Sequence, residues 1–462
     1  MSSEHTTQAF ADRLDEAARC YSESDRMSAL FNFIDGVGTT YAGYRRPEIH
    51  RLLSSQVVEI AAEHPSWLVG NRLRARPSDA VLLNAMAGHL DDFDDDEALV
   101  SIAHVTIPTL AAVLAAASTV DTSGKIVLNS YLSGVETMVA LGAVLNPEHY
   151  MLGWHASATL GVFGATMASA HVLGLSSEQK ATALSFASTA SSGMRSAFGS
   201  SAKPWQVAAA ARDGFNAALL ARSGLDANAS LFGRMSLTEL YGGNAARIDA
   251  AFSRIGRSSP FDDPGVTIKA YPCCTAAHTA MEACEAIRHQ MAGRAWSNIE
   301  SVEVDVGRTI PSILAHDMPA TALEGKFSMR FCAAVALCLP SAELEAFVDE
   351  NLNDPAIRHV MDRVKMRGLP EQDDPFLCHV RVRMADGSSY SESIERTKGS
   401  PERPYRRDDI EAKFGSLCRG ADADAALEQL LGLPSEGSWR DFERRVSASL
   451  VPASGGASEQ FQ

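Results

Sequence analysis

The most informative stretch of this 462-residue chain runs from Gly153 to Leu175 and reads GWHASATLGVFGATMASAHVLGL. Small and apolar residues follow His155 for about four helical turns, with Gly161 and Gly164 inside the run. Glycine inside a helix costs about 1 kcal/mol relative to alanine, so we expect another helix to approach closely at both positions. The run is shorter than the roughly 20 apolar residues that span a bilayer. The pattern therefore predicts a buried central helix, with His155 just before its N-terminus.

Composition places the chain among soluble globular proteins. Its hydrophobic content of 46% and charged content of 21% are ordinary for a protein with a large core, and its length favours two domains. The formal net charge of −16 argues against nucleic acid or an anionic membrane as a partner. A local cluster of Lys, Arg and His can still outweigh that charge inside a cleft. An anionic small molecule therefore remains a candidate substrate.

Residues 1–10 lack the basic region and the apolar core of a signal peptide. The eight cysteines have no regular spacing, which is typical of reduced thiols, so we expect a cytoplasmic protein. The sequence contains no phosphate-binding glycine loop, dinucleotide fingerprint or zinc-ligand spacing. We therefore expect neither a nucleotide cofactor nor a metal.

Hydrophobic periodicity predicts helices over the first 250 residues. Apolar residues recur at helical spacing, and no convincing alternating strand appears before Phe252. The predicted helices comprise two within residues 7–60, then Pro77 to His89, a segment ending near Thr119, Ile126 to Leu145, the central stretch, Ser177 to Gly193 and Trp205 to Ser223.

The pattern changes after residues 258–264, where Ser, Pro, Asp and Gly indicate a domain boundary. IESVEVDV at residues 299–306 alternates apolar and polar residues, as a half-buried strand does. Residues 379–394 contain two alternating runs around Asp386-Gly387, which is typical of a hairpin. Helical segments are predicted between these strands, and the helical pattern returns at residues 408–450.

The sequence thus predicts a mainly α fold. A large all-helical domain is formed by residues 8–258 together with residues 405–450, and a smaller α+β domain, residues 265–400, is inserted between them. Residues 452–462 are rich in Gly and Ser and are predicted to form a disordered tail.

Five polar residues stand at breaks in the apolar pattern, namely Asp92, His104, His155, Lys203 and Lys269. A cleft assembled from several helix ends would collect residues in this way. Lysine is almost never fully buried unless it is paired, so each lysine is either a surface residue or the partner of a substrate carboxylate. His155 is either a core histidine bonded to a carbonyl or a base kept neutral by the positive end of a helix dipole.

The acidic run from Asp91 to Glu97 has two interpretations. Six carboxylates in seven positions ordinarily form a solvated loop. The alternative is part of a binding site, in which Asp92 orients His104 and supports its charged form.

Five motifs in order give the chain a resemblance to the MmgE/PrpD family, from about Asp12 to Cys418. They are NAMAGHLDDFDDD (Asn84 to Asp96), the central stretch, AFGSSAKPWQVAAAARDG (Ala197 to Gly214), KAYPCCTAAH (Lys269 to His278) and LEGKFSMRF (Leu323 to Phe331). The family includes 2-methylcitrate dehydratase, cis-aconitate decarboxylase and iminodisuccinate epimerase. The resemblance implies the two-domain fold predicted above, a homodimer and a small polycarboxylate substrate.

The resemblance also implies roles for particular residues. Catalytic roles fall on Asp92, His104 and His155, and substrate-binding roles fall on Lys203, Lys269, His89, Cys274 and Phe331. Cys274 stands where some members have histidine, and its alternative interpretation is an unreactive buried thiol.

This sequence also departs from the family pattern. Gln206 stands where a histidine usually completes the Lys-Pro motif, and Phe331 stands where tyrosine is common. Asp96 and Glu97 replace the threonine and histidine that often end the acidic motif. These changes alter secondary polar groups while the two lysines and two histidines remain.

The known reactions of the family share one step, in which negative charge develops on a carbon beside a carboxylate and a proton moves to or from that carbon. Lysines would stabilise the charge and a histidine would move the proton, without a metal or an organic cofactor. We therefore expect a lyase, either a dehydratase or a decarboxylase, acting on a small di- or tricarboxylate. The alternatives are an isomerase of the iminodisuccinate epimerase type and a catalytically inactive family member.

Overall fold

The fold is mainly α-helical, as predicted. The computed structural model describes residues 6–291, 293–372 and 374–452; it is 58% helical and contains only small sheets. The predicted tail lies outside the described residues, apart from Pro452.

Helices dominate the first 260 residues. Their bounds are α1 (Thr7–Cys20), α2 (Glu23–Gly43), α3 (Pro47–Ser54), α4 (Pro77–Leu90), α5 (Thr106–Thr119), α6 (Gly124–Leu145), α7 (Glu148–Met151), α8 (Ala156–Val172), α9 (Ser177–Ala190), α10 (Ala202–Arg222), α11 (Leu237–Leu240) and α12 (Ile248–Arg254).

Two expectations for this region are wrong. Residues 7–60 form three helices rather than two, because Pro47 begins a separate short helix after Gly43. A small antiparallel sheet also precedes α4, with the order β1 (Ile60–Ala61), β3 (Arg74–Ala75), β2 (Ser66–Trp67). Strands of two residues are too short to show the alternation by which a strand is recognised.

The middle of the chain mixes helices with a four-stranded sheet. Its elements are α13 (His278–Gln290), β4 (Ile299–Gly307), α14 (Ile310–Ile313), α15 (Ala322–Gly325), α16 (Met329–Cys338), α17 (Asp349–Leu352), α18 (Pro355–Met361), β5 (Val364–Leu369), β6 (Cys378–Met384) and β7 (Ser389–Ile394).

The sheet has the order β5-β4-β6-β7. Strands β6 and β7 form the predicted hairpin, and β6 pairs antiparallel with β4. Strand β5 pairs parallel with β4 and was not predicted, since VKMRGL does not alternate regularly. Three further helices end the described chain, namely α19 (Arg407–Leu417), α20 (Ala423–Leu431) and α21 (Trp439–Leu450).

Two large clusters of buried apolar residues underlie this arrangement. One joins α1 to α12 with α19 to α21, so that Phe10 and Leu450 belong to the same core. The other comprises residues between Tyr271 and Met384 and lies between the sheet and helices such as α13 and α16. The domain bounds stated above stay a prediction, although this packing supports them.

Helix α8 lies at the centre of the first core, as predicted. All its residues except His171 are buried, and His155 is its N-cap. A Cβ atom on Gly161 would come within 3.0 Å of Pro108, and one on Gly164 within 2.7 Å of Met138. The glycines therefore permit close contact with α5 and α6.

Helix α6 is long and apolar enough to cross a membrane, with a mean hydropathy of 1.3 over its best window. However, 83% of that window is buried inside the protein. This burial is characteristic of a core helix.

The crossing of α8 and α10 yields a test of this packing. A Cβ atom on Gly214 of α10 would lie 2.3 Å from the carbonyl oxygen of Val162. We expect Gly214→Ala to lower the free energy of unfolding by about 1–3 kcal/mol, because the backbones of the two helices must separate. Gly415→Ala is the control, since no atom lies within 4 Å of its Cβ position, and it should raise stability by about 0.5–1 kcal/mol. Urea titration of both variants checks the expectation, and equal effects would contradict it.

Candidate active site

The acidic run after α4 is buried, so its interpretation as a solvated loop is wrong. Asp92 is 2% exposed, Asp94 and Glu97 are 0% exposed, and the most exposed member, Asp96, reaches only 9%. A buried carboxylate is costly unless it is paired or hydrogen-bonded. Each member of the run is therefore expected to have donors nearby.

The outer members of the run have structural partners. Arg46 binds both carboxylate oxygens of Asp91, each at 2.9 Å. Glu97 accepts from the backbone N–H groups of Leu99 and Val100 at 2.7 and 2.9 Å. These contacts hold the segment between α4 and α5.

Asp95 has no cation among its nearest partners. It accepts hydrogen bonds from the Asn32 amide and from the backbone N–H of Thr106, at 2.6 and 3.1 Å. Burial raises its pKa to about 7. Its contact with Asn32 places it next to α2.

Asp92 is the centre of the cluster. Its Oδ1 atom lies 2.7 Å from Lys203 Nζ, 3.2 Å from Lys269 Nζ and 3.2 Å from His104 Nε2. Burial opposes its charge, but the two ammonium groups and His104 hold the pKa of Asp92 well below its usual value. Its backbone is left-handed, with φ of +52°, a conformation that aspartate tolerates better than most residues.

Three successive backbone carbonyls of this turn each accept from a buried lysine. Asp91 O lies 2.7 Å from Lys326 Nζ, and Asp92 O lies 3.1 Å from Lys269 Nζ. Phe93 O lies 3.1 Å from the Nζ atom of Lys413 in α19. The turn is therefore held by lysines from distant parts of the chain.

Lys203, Lys269 and Lys326 are at most 4% exposed, so the interpretation of Lys203 and Lys269 as surface residues is wrong. Lys203 lies in the first turn of α10, while Lys326 follows α15. Sequence analysis did not select Lys326, although it stands inside the quoted LEGKFSMRF motif. Its place within a family motif was the signal available.

His89 and His104 lie on either side of Asp94. The Asp94 carboxylate is 2.9 Å from His89 Nδ1 and 3.3 Å from His104 Nδ1, and the two rings are 4.5 Å apart. Burial and the neighbouring cations lower the pKa of His89 to about 4 despite Asp94. Burial also opposes charge on His104, but the carboxylates of Asp94 and Asp92 hold its pKa above the usual value.

His155 lies against the same cluster. The centroid of its ring lies 6.1 Å from that of His89 in a stacked arrangement. It lies 5.0 Å from the ring centroid of Phe198, with the two rings nearly perpendicular. Its Nδ1 atom lies 2.9 Å from Gln206 Oε1, while its buried Nε2 atom has no hydrogen-bond partner among the described residues. Burial and the nearby Lys203 lower the pKa of His155 well below its usual value.

A narrow cleft that is open to solvent lies beside these residues. Of the predicted site residues, His89, Asp92 and Lys203 line it, and Lys326 joins them. Gly199, Ser200, Leu323 and Phe327 form part of its wall.

The remaining predicted residues are placed around the cleft rather than in its lining. His104 and Lys269 each lie 3.2 Å from the Oδ1 atom of Asp92. Cys274 lies beyond them, and burial raises its pKa to about 12, so it remains a thiol. Phe331 is fully buried against Phe347 in the second core.

Among the described residues, one group has ligand atoms close enough to hold a metal ion: His89, Asp92 and His104, with atoms within 4.8 Å of one another. However, Lys203 Nζ lies 2.9 Å from His89 Nε2 and 2.7 Å from Asp92 Oδ1. A cation bound there would face this ammonium group and that of Lys269. The arrangement is better suited to an anion.

Comparison with known proteins identifies the family of the chain. The MmgE/PrpD N-terminal domain matches residues 21–238, and the MmgE/PrpD C-terminal domain matches residues 271–431. Cis-aconitate decarboxylase of Aspergillus terreus is 26% identical over 440 residues, which cover 87% of this chain and 86% of the relative.

The mouse and human proteins named cis-aconitate decarboxylase are each 24% identical to this chain. The mouse alignment covers 84% of this chain and 82% of the relative, and the human alignment covers 82% and 81%. With both domain models matched in order across most of its length, the chain belongs to the MmgE/PrpD family.

Proposed function

We propose that this protein is a cofactor-free lyase that removes CO2 from a small unsaturated tricarboxylate of the cis-aconitate type. The observation that carries the proposal is a cleft lined by the buried ammonium groups of Lys203 and Lys326, whose neighbours His104 and His155 have pKa values shifted in opposite directions. The names of the relatives support decarboxylation as the first candidate.

The lysines account for recognition of the substrate. Lys203 and Lys326 line the cleft and can each donate to a carboxylate oxygen. Lys203 is also paired with Asp92, which keeps the ammonium group in place before the substrate arrives. Substrate binding would thus add an anion to a site that already contains fixed positive charge.

Decarboxylation requires an acid as well as a charge clamp. The bond to the departing carboxylate breaks, and its electron pair moves through the double bond towards a second carboxylate. Lys203 stabilises the enolate-like charge, and His104 transfers its proton to the carbon beside that carboxylate. The product carries one proton in place of the lost CO2, and solvent returns a proton to His104.

Dehydration is the second candidate, favoured by the pairing of a charged and a neutral histidine. Neutral His155 has a free Nε2 atom that can remove a proton from carbon, while charged His104 can protonate a departing hydroxyl group. Epimerisation needs two bases on opposite faces of the carbon, and a charged His104 suits that role less well.

The first test identifies the reaction. We expect purified protein to convert cis-aconitate in D2O to a product that has lost CO2 and gained one deuterium beside a carboxylate, as measured by mass spectrometry and NMR. Loss of water from 2-methylcitrate would instead support dehydration. Deuterium exchange into iminodisuccinate without a change of composition would support epimerisation, and no reaction with any of the three would contradict the proposal.

The second test addresses the clamp. We expect Lys203→Met to lower kcat/KM by roughly ten- to over a hundredfold, because it removes a charge-assisted hydrogen bond of about 1.5–3 kcal/mol while keeping the apolar stem. Lys203→Arg should restore only part of the activity, since a planar fork does not replace a compact ammonium group.

Exposed Lys125 in α6 provides the control, and Lys125→Met should leave the rate unchanged. Rates are normalised to folded protein, because Lys203 also neutralises Asp92. Normal turnover per folded Lys203→Met molecule would show that Lys203 is structural.

The third test uses pH. Only charged His104 can donate a proton, and its pKa lies above the usual value of about 6.5. We therefore expect kcat/KM for decarboxylation to be fully present below that raised pKa and to fall as the pH rises through it. His104→Gln should abolish this decline along with most of the activity. His379→Gln, on strand β6, should preserve both, and a profile that rises with pH would contradict the assignment of the acid.

A further inference from the structure

Gln206, in the second turn of α10, is the side chain that contacts His155. Its Oε1 atom lies 2.9 Å from His155 Nδ1 and 3.1 Å from the backbone nitrogen of Met194. Its Nε2 atom lies 3.3 Å from the carbonyl oxygen of Met194. Both the oxygen and the nitrogen of the Gln206 side-chain amide therefore contact the backbone of Met194.

These contacts determine which nitrogen of His155 carries hydrogen. A backbone N–H can only donate, so the Gln206 atom that faces Met194 N must be the oxygen. That same oxygen faces His155 Nδ1 and can only accept, so Nδ1 must carry a hydrogen atom. A neutral imidazole has one such hydrogen, and the lone pair is consequently on Nε2.

The surroundings keep the ring neutral. The charged or titratable groups that act on His155 are Lys203 of α10, His89 of α4 and His104 before α5, and each opposes a positive charge on His155. The position of His155 is also fixed by its backbone, because its N–H group donates to the carbonyl oxygen of Gly193 at 3.1 Å. Nε2 is thus a buried acceptor without a hydrogen-bond donor among the described residues.

We infer that Gln206 is a positioning residue, which holds His155 as the Nδ1–H tautomer and thereby makes Nε2 a proton acceptor of the site. The assignment of the tautomer stands on the contacts alone. The use of Nε2 rests on the dehydration form of the proposed lyase function. In that reaction a proton passes from the substrate carbon to Nε2, a double bond forms as the hydroxyl group leaves as water with a proton from His104, and the imidazolium of His155 returns its proton to solvent after product release.

The tautomer can be measured without substrate. Full-length protein labelled with 15N in histidine is examined at about pH 8 by long-range 1H–15N NMR, with His155 assigned from its loss in His155→Gln. We expect a protonated Nδ1 and an unprotonated Nε2 in the unsubstituted protein. Gln206→Leu should move His155 towards the other tautomer, whereas Gln290→Leu, at an exposed site, should not. A protonated Nε2 in the unsubstituted protein would overturn the inference.

The catalytic consequence is measured on 2-methylcitrate, the dehydration substrate of the first test. We expect Gln206→Leu to lower kcat by at least about tenfold with little change in KM, because the base is then present in the wrong tautomer for part of the time. Gln206→Glu retains an acceptor, and its charge should move the acidic limb of the kcat profile to higher pH while activity at about pH 8 is kept. A residue with only a structural role would change the thermal midpoint and leave that limb in place.

Three outcomes separate this inference from the proposed function. If the protein dehydrates 2-methylcitrate and folded Gln206→Leu keeps both its kcat and its acidic limb, the role of Gln206 is wrong while the lyase proposal stands. If only cis-aconitate is consumed, the use of Nε2 as a base is wrong. If no substrate is consumed, the lyase proposal fails, and the NMR measurement still decides the tautomer of His155.

Discussion

The turn formed by Asp91, Asp92 and Phe93 is the constraint on which the site depends. Each of its three carbonyl groups accepts from a different buried lysine, and those lysines come from three separate parts of the chain. Left-handed backbone at Asp92 lets successive carbonyls point in different directions. The acidic run is therefore a buried junction between distant parts of the chain. Its position directly after a helix would also have been compatible with an exposed loop.

The junction also joins the two apolar cores. Lys326 lies in the part of the chain that forms the second core, while Lys413 belongs to α19, which returns to the first. Lys413 pairs with Asp35 of α2 at 2.8 Å, so α19 and α2 meet at the turn. Buried charges are costly unless they are paired. Loss of one charged residue would therefore leave its partner buried without an opposite charge, which would destabilise the fold. The geometry of the candidate site and the packing of the two apolar cores therefore depend on the same contacts.

Electrostatic asymmetry is the second property of this site. His104 lies between two carboxylates, whereas His155 has an amide oxygen and several cationic or titratable neighbours. Burial lowers the affinity of both rings for a proton, and their partners then move the two pKa values in opposite directions. The pair of histidines thus has the kind of asymmetry from which the proposed acid and base roles follow.

Much of this protein follows from the sequence alone. Small residues at helical spacing predicted α8 and the position of His155 at its N-cap, and regular alternation predicted β4 and the hairpin of β6 and β7. These features are local, because the period of a pattern reports the element that contains it. The lysines and histidines of the site could be selected because each stands at a break in such a pattern or in a family motif.

Only the tertiary structure decided how those side chains are used. The sequence allowed Asp91 to Glu97 to be solvent-exposed. It predicted a common cleft for Asp92 and Lys269 but not the ion pair between them, and it did not connect Phe93 with Lys413. It also left Gln206 as an unexplained departure, since its contacts with His155 and with the backbone of Met194 join residues 51 and 12 positions away. Burial, charge pairing and tautomer depend on groups that are distant along the chain, and a local pattern carries no information about which of them will meet.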